Sequence, residues 1–213
     1  MSRSILEKRA VKSRPVESPL NLWRSLVIGL LAALLAGCGI NNIPTYDEAA
    51  KAAWADVQNQ YQRRADLVPN LVETVKGYAA HENETLQAVV EARSKVGSMH
   101  MSGNMLNDPA KMKVFQENQA QLTGALSRLL LVVEKYPDLK ANQNFLTLQS
   151  QLEGTENRIS VARRDYIGAI QRYNTELRTF PGLIWYKLMY TDMQPRATFE
   201  AAPETATAPA VKF

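Results

Sequence analysis

The sequence predicts an all-α fold, a coiled-coil-like bundle of three main helices with a short fourth element, and three observations carry that prediction. Between residues 145 and 177, apolar and small residues recur in steps of three and four, at Phe145, Leu148, Leu152, Thr155, Ile159, Ala162, Tyr166, Ala169, Tyr173 and Leu177. A seven-residue repeat of this kind keeps one seam facing its neighbours at a shallow crossing angle. Similar spacing runs through two earlier segments. Composition agrees: 46% of the 213 residues are apolar, while ten Gly and ten Pro argue against a collagen-like or wholly disordered chain.

Residues 1–37 read as an export leader with a lipobox. Ser25–Ala36 is a 12-residue apolar stretch behind Arg24, short of the roughly 20 residues that span a bilayer. A basic flank, a short apolar core and small residues at its end are the layout of a secretory signal peptide. The stretch closes on Leu35-Ala36-Gly37-Cys38, which resembles a bacterial lipoprotein signal. Cys38 would then begin the mature chain, its thiol forming a thioether to diacylglycerol. The alternative keeps the leader as an uncleaved anchor, with Cys38 a bystander. Gly39 after the cysteine resembles an outer-membrane address facing the periplasm in a Gram-negative cell; otherwise the expected place is the outer face of the cytoplasmic membrane. A single Cys also rules out an internal disulfide and a four-cysteine zinc site.

Residues 38–44 form a short tether ahead of a bundle domain at 45–192. Thr45 and Glu48 make a capping box behind Pro44. The first helix then runs to about Val96, with Trp54, Val57, Tyr61, Val68, Leu71, Val75, Tyr78, Leu86 and Val89 on its apolar stripe. Pro69 kinks this helix or divides it in two, because proline lacks the N–H and crowds the preceding turn. Residues 97–104 are a flexible connection. Asp108 caps and Pro109 opens a second helix to about Glu134, with Met112, Phe115, Leu122, Leu126, Leu129 and Val133 inward. Tyr136-Pro137-Asp138 ends it. The third helix starts between Lys140 and Asn144 and stops at Phe180-Pro181-Gly182. The short fourth element, residues 183–190, caps the bundle, and its Trp185, Tyr186, Lys187 and Tyr190 suit a bundle end or a lipid headgroup region. The Ala/Pro/Thr-rich tail, 193–213, is expected to be flexible. At 1.5 Å per residue the three helices measure roughly 80, 40 and 55 Å. The first must therefore bend, break, or leave a stripe exposed to a partner.

Charge points away from nucleic acid. The net +4 resides in the leader, where Arg3, Lys8, Arg9, Lys12, Arg14 and Arg24 outweigh Glu7 and Glu17, and the remaining chain is neutral. The body thus lacks the net electrostatic term that dominates such binding.

Several segments together carry a family resemblance. They are Ala53–Val57, Arg63-Arg-Ala-Asp-Leu-Val-Pro-Asn-Leu-Val-Glu-Thr-Val-Lys-Gly-Tyr-Ala-Ala-His-Glu82, Glu91-Ala-Arg93, Tyr136–Asn142, Gln151–Ile159, Ala162–Tyr166, Tyr173-Asn174 and Phe180-Pro181. The pattern resembles the LemA family. The resemblance implies a long antiparallel helical bundle, association with the bacterial envelope, and no established catalytic activity. It also implies a short N-terminal membrane segment, which the Leu35–Cys38 pattern here replaces or modifies.

Two groups of polar residues are candidates for an interaction surface. Arg63, Arg64, Asp66 and Asn70 surround Pro69, where a kink frees backbone carbonyls; against this stands a solvated face with local ion pairs such as Arg63 with Asp66. Glu153, Glu156, Asn157 and Arg158 lie on the third helix, followed by Arg163, Arg164 and Asp165. They read first as a hydrogen-bonding patch toward the first helix and second as a binding surface. His81 with Glu82 and Glu84 lacks a second histidine at metal-binding spacing, so it reads as a surface residue. Met99, Met101 and Met105 admit a copper-binding cluster or a flexible apolar loop. Tyr61, Tyr78, Tyr166 and Tyr173 read as core or seam aromatics. No nucleophile–base pair or phosphate loop is present, and no cofactor is expected.

The sequence therefore predicts a non-enzymatic, membrane-tethered envelope protein that scaffolds or adapts other envelope proteins. Its lipid contact runs through acylated Cys38 or the N-terminal segment. The alternative is a self-assembling, homo-oligomeric structural element, with a hydrolase a remote third.

Overall fold

The structure is a computed structural model that describes residues 23–24, 26–29, 39–99 and 105–199. The chain forms two units, Met1–Ile40 and Asn41–Phe213. In the first, residues 23–24 and 26–29 are helical, with Trp23, Leu26 and Ile28 exposed. Cys38 and the rest of the lipobox lie outside the described residues, as do His100, Met101 and residues 200–213. Among the described residues no helix is long and apolar enough to cross a membrane.

Four long helices build the second unit: α1 (Asn42–Lys76), α2 (Asn83–Met99), α3 (Pro109–Val133) and α5 (Gln143–Glu176). Two short ones, α4 (Pro137–Lys140) and α6 (Gly182–Met189), and a 3-10 turn, Met105–Asn107, complete it. Contacts set the directions. Asn42 meets Glu176, Trp54 meets Tyr166, Arg64 meets Glu156 and Tyr78 meets Asn142, so α1 and α5 run antiparallel over their whole lengths. Lys95 meets Gln121 and Glu82 meets Tyr136, so α2 and α3 are antiparallel too. The unit is an up-and-down bundle.

Three expectations change. The first helix is two helices, and the division falls at residues 77–82 rather than at Pro69, which lies inside α1. Proline at 69 leaves the carbonyl of Ala65 without its helical N–H, and Arg93 Nε from α2 donates to that carbonyl at 2.8 Å. A neighbouring helix thus satisfies the bond that proline removes, and α1 continues to Lys76 ahead of Gly77, a weak helix former. Secondly, α1 opens at Asn42, so the Thr45–Glu48 capping box does not form; Thr45 N donates to Asn41 O at 3.1 Å and Glu48 pairs with Lys51 at 2.6 Å. Pro44 is accommodated in that first turn, where the N–H has no intrahelical partner. Thirdly, Met193–Phe199, expected to begin a loose tail, is fastened to the bundle.

The other caps follow the sequence. Asp108 accepts from Ala110 N at 3.0 Å and Lys111 N at 3.1 Å, bonds that hold its carboxyl below the usual range. Asn142 accepts from Asn144 N at 2.9 Å and Phe145 N at 3.1 Å, opening α5. Along the α5 stripe every predicted residue is buried except Leu148 and Ala169, which are half-buried.

The core changes composition along the bundle. Toward the α1–α2 turn, all four long helices contribute, with Val75, Val89, Leu122, Leu129 and Phe145 at its centre. Farther along, α2 is too short: its 17 residues reach roughly 25 Å, against roughly 52 Å for the 35 of α1. There Met105, Leu106 and the returning segment 193–199 take its place, and Phe199 packs with Trp54 and Tyr166 at 6.1 and 5.3 Å between ring centroids. Met105 is buried in this part of the core. At the far end α6 closes the bundle over Ile43, Tyr173 and Leu177. The overhanging stripe predicted from unequal helix lengths is thus covered by the chain itself.

Candidate functional site

The helical stripe of α1 proceeds through Trp54, Val57, Tyr61, Val68 and Leu71, and the position between Tyr61 and Val68 is Arg64, only 1% exposed. On α3 the stripe runs Met112, Phe115, Leu122, Leu126, and the position between Phe115 and Leu122 is Gln119, 4% exposed. On α5 the corresponding seam residue is Thr155, also buried, donating to Gln151 O at 2.7 Å. Three helices thus place a buried polar group at this level of the seam.

Arg64 organises that level. Its Nη1 donates to Thr123 Oγ1 and to Glu156 Oε1, each at 2.9 Å, and its Nη2 donates to Gln119 O at 3.3 Å and to Gln119 Oε1. Its guanidinium also lies 5.1 Å from the Tyr61 ring centroid. Burying a charge this fully is unfavourable unless every polar atom is paired. Here the pairing is incomplete: Arg64 Nε and Gln119 Nε2 are buried donors with no protein partner among the described residues.

Beside this cluster is a cavity of about 390 Å³, lined by Tyr61, Arg64, Gln119, Thr123, Glu156 and Arg163 among others. Its walls carry two guanidinium groups and one carboxylate. Burial pushes the Tyr61 phenol above its ordinary pKa, an effect that Arg163 and Arg64 partly offset. The cavity continues into a shallower groove along α5 lined by Glu156, Ile159, Ser160, Arg163, Arg164 and Ile167. Arg163 belongs to both and stacks on Phe199 at 4.5 Å. Such a set of donors beside an apolar lip suits recognition of an acceptor-rich group. Among the described residues the cavity lining holds one carboxylate, Glu156, and one phenol, Tyr61, with no histidine.

Of the eight residues singled out from sequence, the structure brings two together, Arg64 and Glu156. Arg63, Asp66, Asn70, Glu153, Asn157 and Arg158 are exposed. Asp66 accepts from Gln62 at 2.7 Å rather than pairing with Arg63, and Glu153 accepts from Gln149 at 3.1 Å. The carbonyl that Pro69 frees is consumed by Arg93. Thr123, Gln119 and Arg93 were not among the sequence candidates. For Gln119 the signal was present, because it continues the three-and-four steps of α3. His81 is exposed in the α1–α2 turn, and no group of three or more His, Cys, Asp or Glu among the described residues is placed to hold a metal ion.

A second buried polar cluster lies near the α6 end. Asp47, 2% exposed, accepts from Arg196 Nε at 2.9 Å and Nη2 at 2.6 Å, and pairs with Lys51 at 2.9 Å. Arg196 Nη1 also reaches Asn107 Oδ1. Asn174 clamps the Arg196 backbone, accepting from its N at 2.9 Å and donating to its O at 3.0 Å. Tyr166 and Tyr173 donate to Ala197 O at 2.6 Å and Gln194 O at 3.1 Å. This cluster is a clasp for the returning segment.

Comparison with known proteins places the chain. The model of the LemA family matches residues 53–213. The magnetosome protein MamQ 2 of Paramagnetospirillum magneticum is 26% identical over 189 residues, spanning 81% of this chain and 68% of that protein. Protein LemA of Metamycoplasma hominis is 26% identical over 124 residues, spanning 58% of this chain and 52% of its own. The magnetosome protein MamQ of Magnetospirillum gryphiswaldense is 25% identical over 183 residues, spanning 76% and 65%.

Proposed function

The chain belongs to the LemA family, and from that premise we propose that it is a membrane-tethered adaptor of the bacterial envelope that binds another envelope protein at the Arg64–Arg163 cavity. Family membership is consistent with a non-enzymatic protein. The tether is acylated Cys38 or, failing processing, the N-terminal segment itself.

The observation that carries the adaptor reading is the polar level within the seam. Apolar residues at positions 64 and 119 would hold a bundle together at least as well, since a buried ion pair is often no more stable than a hydrophobic replacement. Arg64 and Gln119 instead keep buried donors beside an open cavity. That cost is offset if the donors order a surface that a partner uses.

The test is photocrosslinking in cells from Ser160 and Arg164 at the groove, paired with the charge reversal Arg163→Glu. One discrete adduct to another protein is expected, lost on Arg163→Glu in a chain whose unfolding midpoint is retained. Adducts only to a second copy of the chain would favour the self-assembling alternative, which light scattering of the purified chain at several concentrations would then display. For the tether, a palmitate analogue should label the chain and fail to label Cys38→Ser; equal labelling of both would refute acylation at that residue.

A further inference from the structure

The end of the bundle closed by α6 has two unlike surfaces. Inward, Trp185, Tyr186 and Tyr190 pack against Ile43, Tyr173 and Leu177. Outward, Phe180 is 77% exposed and Leu188 70%, with Ile184 and Met189 also exposed. Ile184 and Leu188 are one helical turn apart and share a side. Arg178 and Lys187, both exposed, flank them. Exposed apolar groups grouped on one short element, with aromatic rings at their base and cations beside them, have the chemistry of a membrane–water interface.

The route of the chain names the occupant. It enters the bundle at this same end: Asn42 Nδ2 donates to Glu176 Oε1 at 3.0 Å, and Ile43 is buried against Tyr173 and Leu177. Residues 39–41 alone separate Cys38 from α1, a reach of roughly 14 Å at full extension from Cys38 to Asn42. A lipid carried by Cys38 therefore enters its bilayer close to α6.

We propose that α6, with Phe180 ahead of it, is a second membrane contact that lies in the headgroup–acyl boundary of a bilayer containing anionic lipid. Phe180, Ile184, Leu188 and Met189 enter the acyl edge, and Arg178 and Lys187 meet lipid phosphates. The two acyl chains of a diacylglycerol on Cys38 already anchor durably, so what a contact at α6 adds is a fixed orientation on the bilayer. Arg64 follows Asn42 by 22 residues along α1, so its cavity is carried about 33 Å from the anchored end, at a set height for a partner. This inference rests on the membrane-tethered reading.

The test uses the full chain, purified from membranes and returned to vesicles of phosphatidylethanolamine and phosphatidylglycerol. Benzoylphenylalanine replaces Phe180, Leu188 or Leu131 in turn. Leu131 is the control: it is 71% exposed but lies near the C-terminal end of α3, at the opposite end of the bundle. All three forms are expected to float with the vesicles, and phospholipid adducts from 180 and 188 should exceed those from 131 by about fivefold or more. Flotation with equal adducts at all three positions overturns the second contact and leaves the tether standing. Adducts from 180 or 188 to another copy of the chain, in place of lipid, overturn it as well. Failure to float overturns both.

Discussion

Arg64, halfway along α1, and Arg196, in the segment that returns after α6, are both withdrawn from water, yet their surroundings differ. Arg196 is held by a buried carboxylate, an asparagine side chain and a clamp on its own backbone, and it locks residues 193–199 into the seam. Arg64 meets its carboxylate only at the edge, where the Glu156 side chain is 42% exposed, and its Nε is left without a protein partner among the described residues, beside a cavity. The first arrangement spends its polar atoms on the fold. The second leaves some of them unspent. The contrast teaches that burial of a charge alone does not mark a site; the marks here are incomplete pairing and an adjoining space.

Substitutions can break or sharpen this contrast. The largest loss is expected from Asp47→Ala, which strands the Arg196 guanidinium and should cost about 3–5 kcal/mol. Denaturant unfolding gives the cost, and Trp54 emission should shift as Phe199 leaves its ring; unchanged emission would mean that another contact holds the clasp. Arg64→Met combined with Gln119→Leu is expected to go the opposite way, gaining about 1–4 kcal/mol while losing the crosslinked partner. A loss of stability in that double variant would make the polar level structural.

Arg93→Ala tests the same logic at a backbone carbonyl. It should cost about 1–3 kcal/mol by leaving Ala65 O unpaired. In a Pro69→Ala background the cost should largely vanish, because residue 69 then supplies an N–H of its own. A double-mutant cycle of thermal unfolding reads the coupling, and full additivity would disprove it.

Tyr166→Phe removes the 2.6 Å bond to Ala197 O and is expected to cost about 0.5–1.5 kcal/mol. Burial raises the Tyr166 phenol pKa, so the folded form retains a proton that the unfolded form releases from about pH 10 upward. With fewer protons bound in the unfolded state, stability is complete below that point and falls as pH rises beyond it. Denaturation across pH 9 to 11 should show a shallower alkaline fall in Tyr166→Phe than in the parent. The smallest effect belongs to Glu156→Gln, under about 1 kcal/mol, since the carboxylate is substantially solvated; a larger loss in urea unfolding would place it with Asp47.

Much of the bundle was legible in the residues. The α5 stripe, the Asp108–Pro109 start of α3 and the short helix after Pro181 rest on local chemistry, and all three appear. The candidate site was half legible. Arg64 and Glu156 were singled out beforehand, but as parts of two surface groups, because a charged residue near Pro69 is more readily explained by solvent than by burial. The three-and-four spacing itself includes Asp47, Arg64 and Gln119, and counting polar residues at seam positions would have found all of them.

The periodicity of side chains around a helix is a property of the backbone, so the sequence alone determined that this protein is helical and which faces turn inward. Whether a polar group on such a face is tolerated depends on partners far along the chain. Asp47 requires Arg196, Arg64 requires Gln119 and Thr123, and the carbonyl behind Pro69 requires Arg93. Desolvation and hydrogen bonding are settled only where those groups meet. For that reason the tertiary structure alone decided that α1 runs through Pro69, that residues 193–199 replace α2 in the core, and that an arginine occupies the middle of the seam.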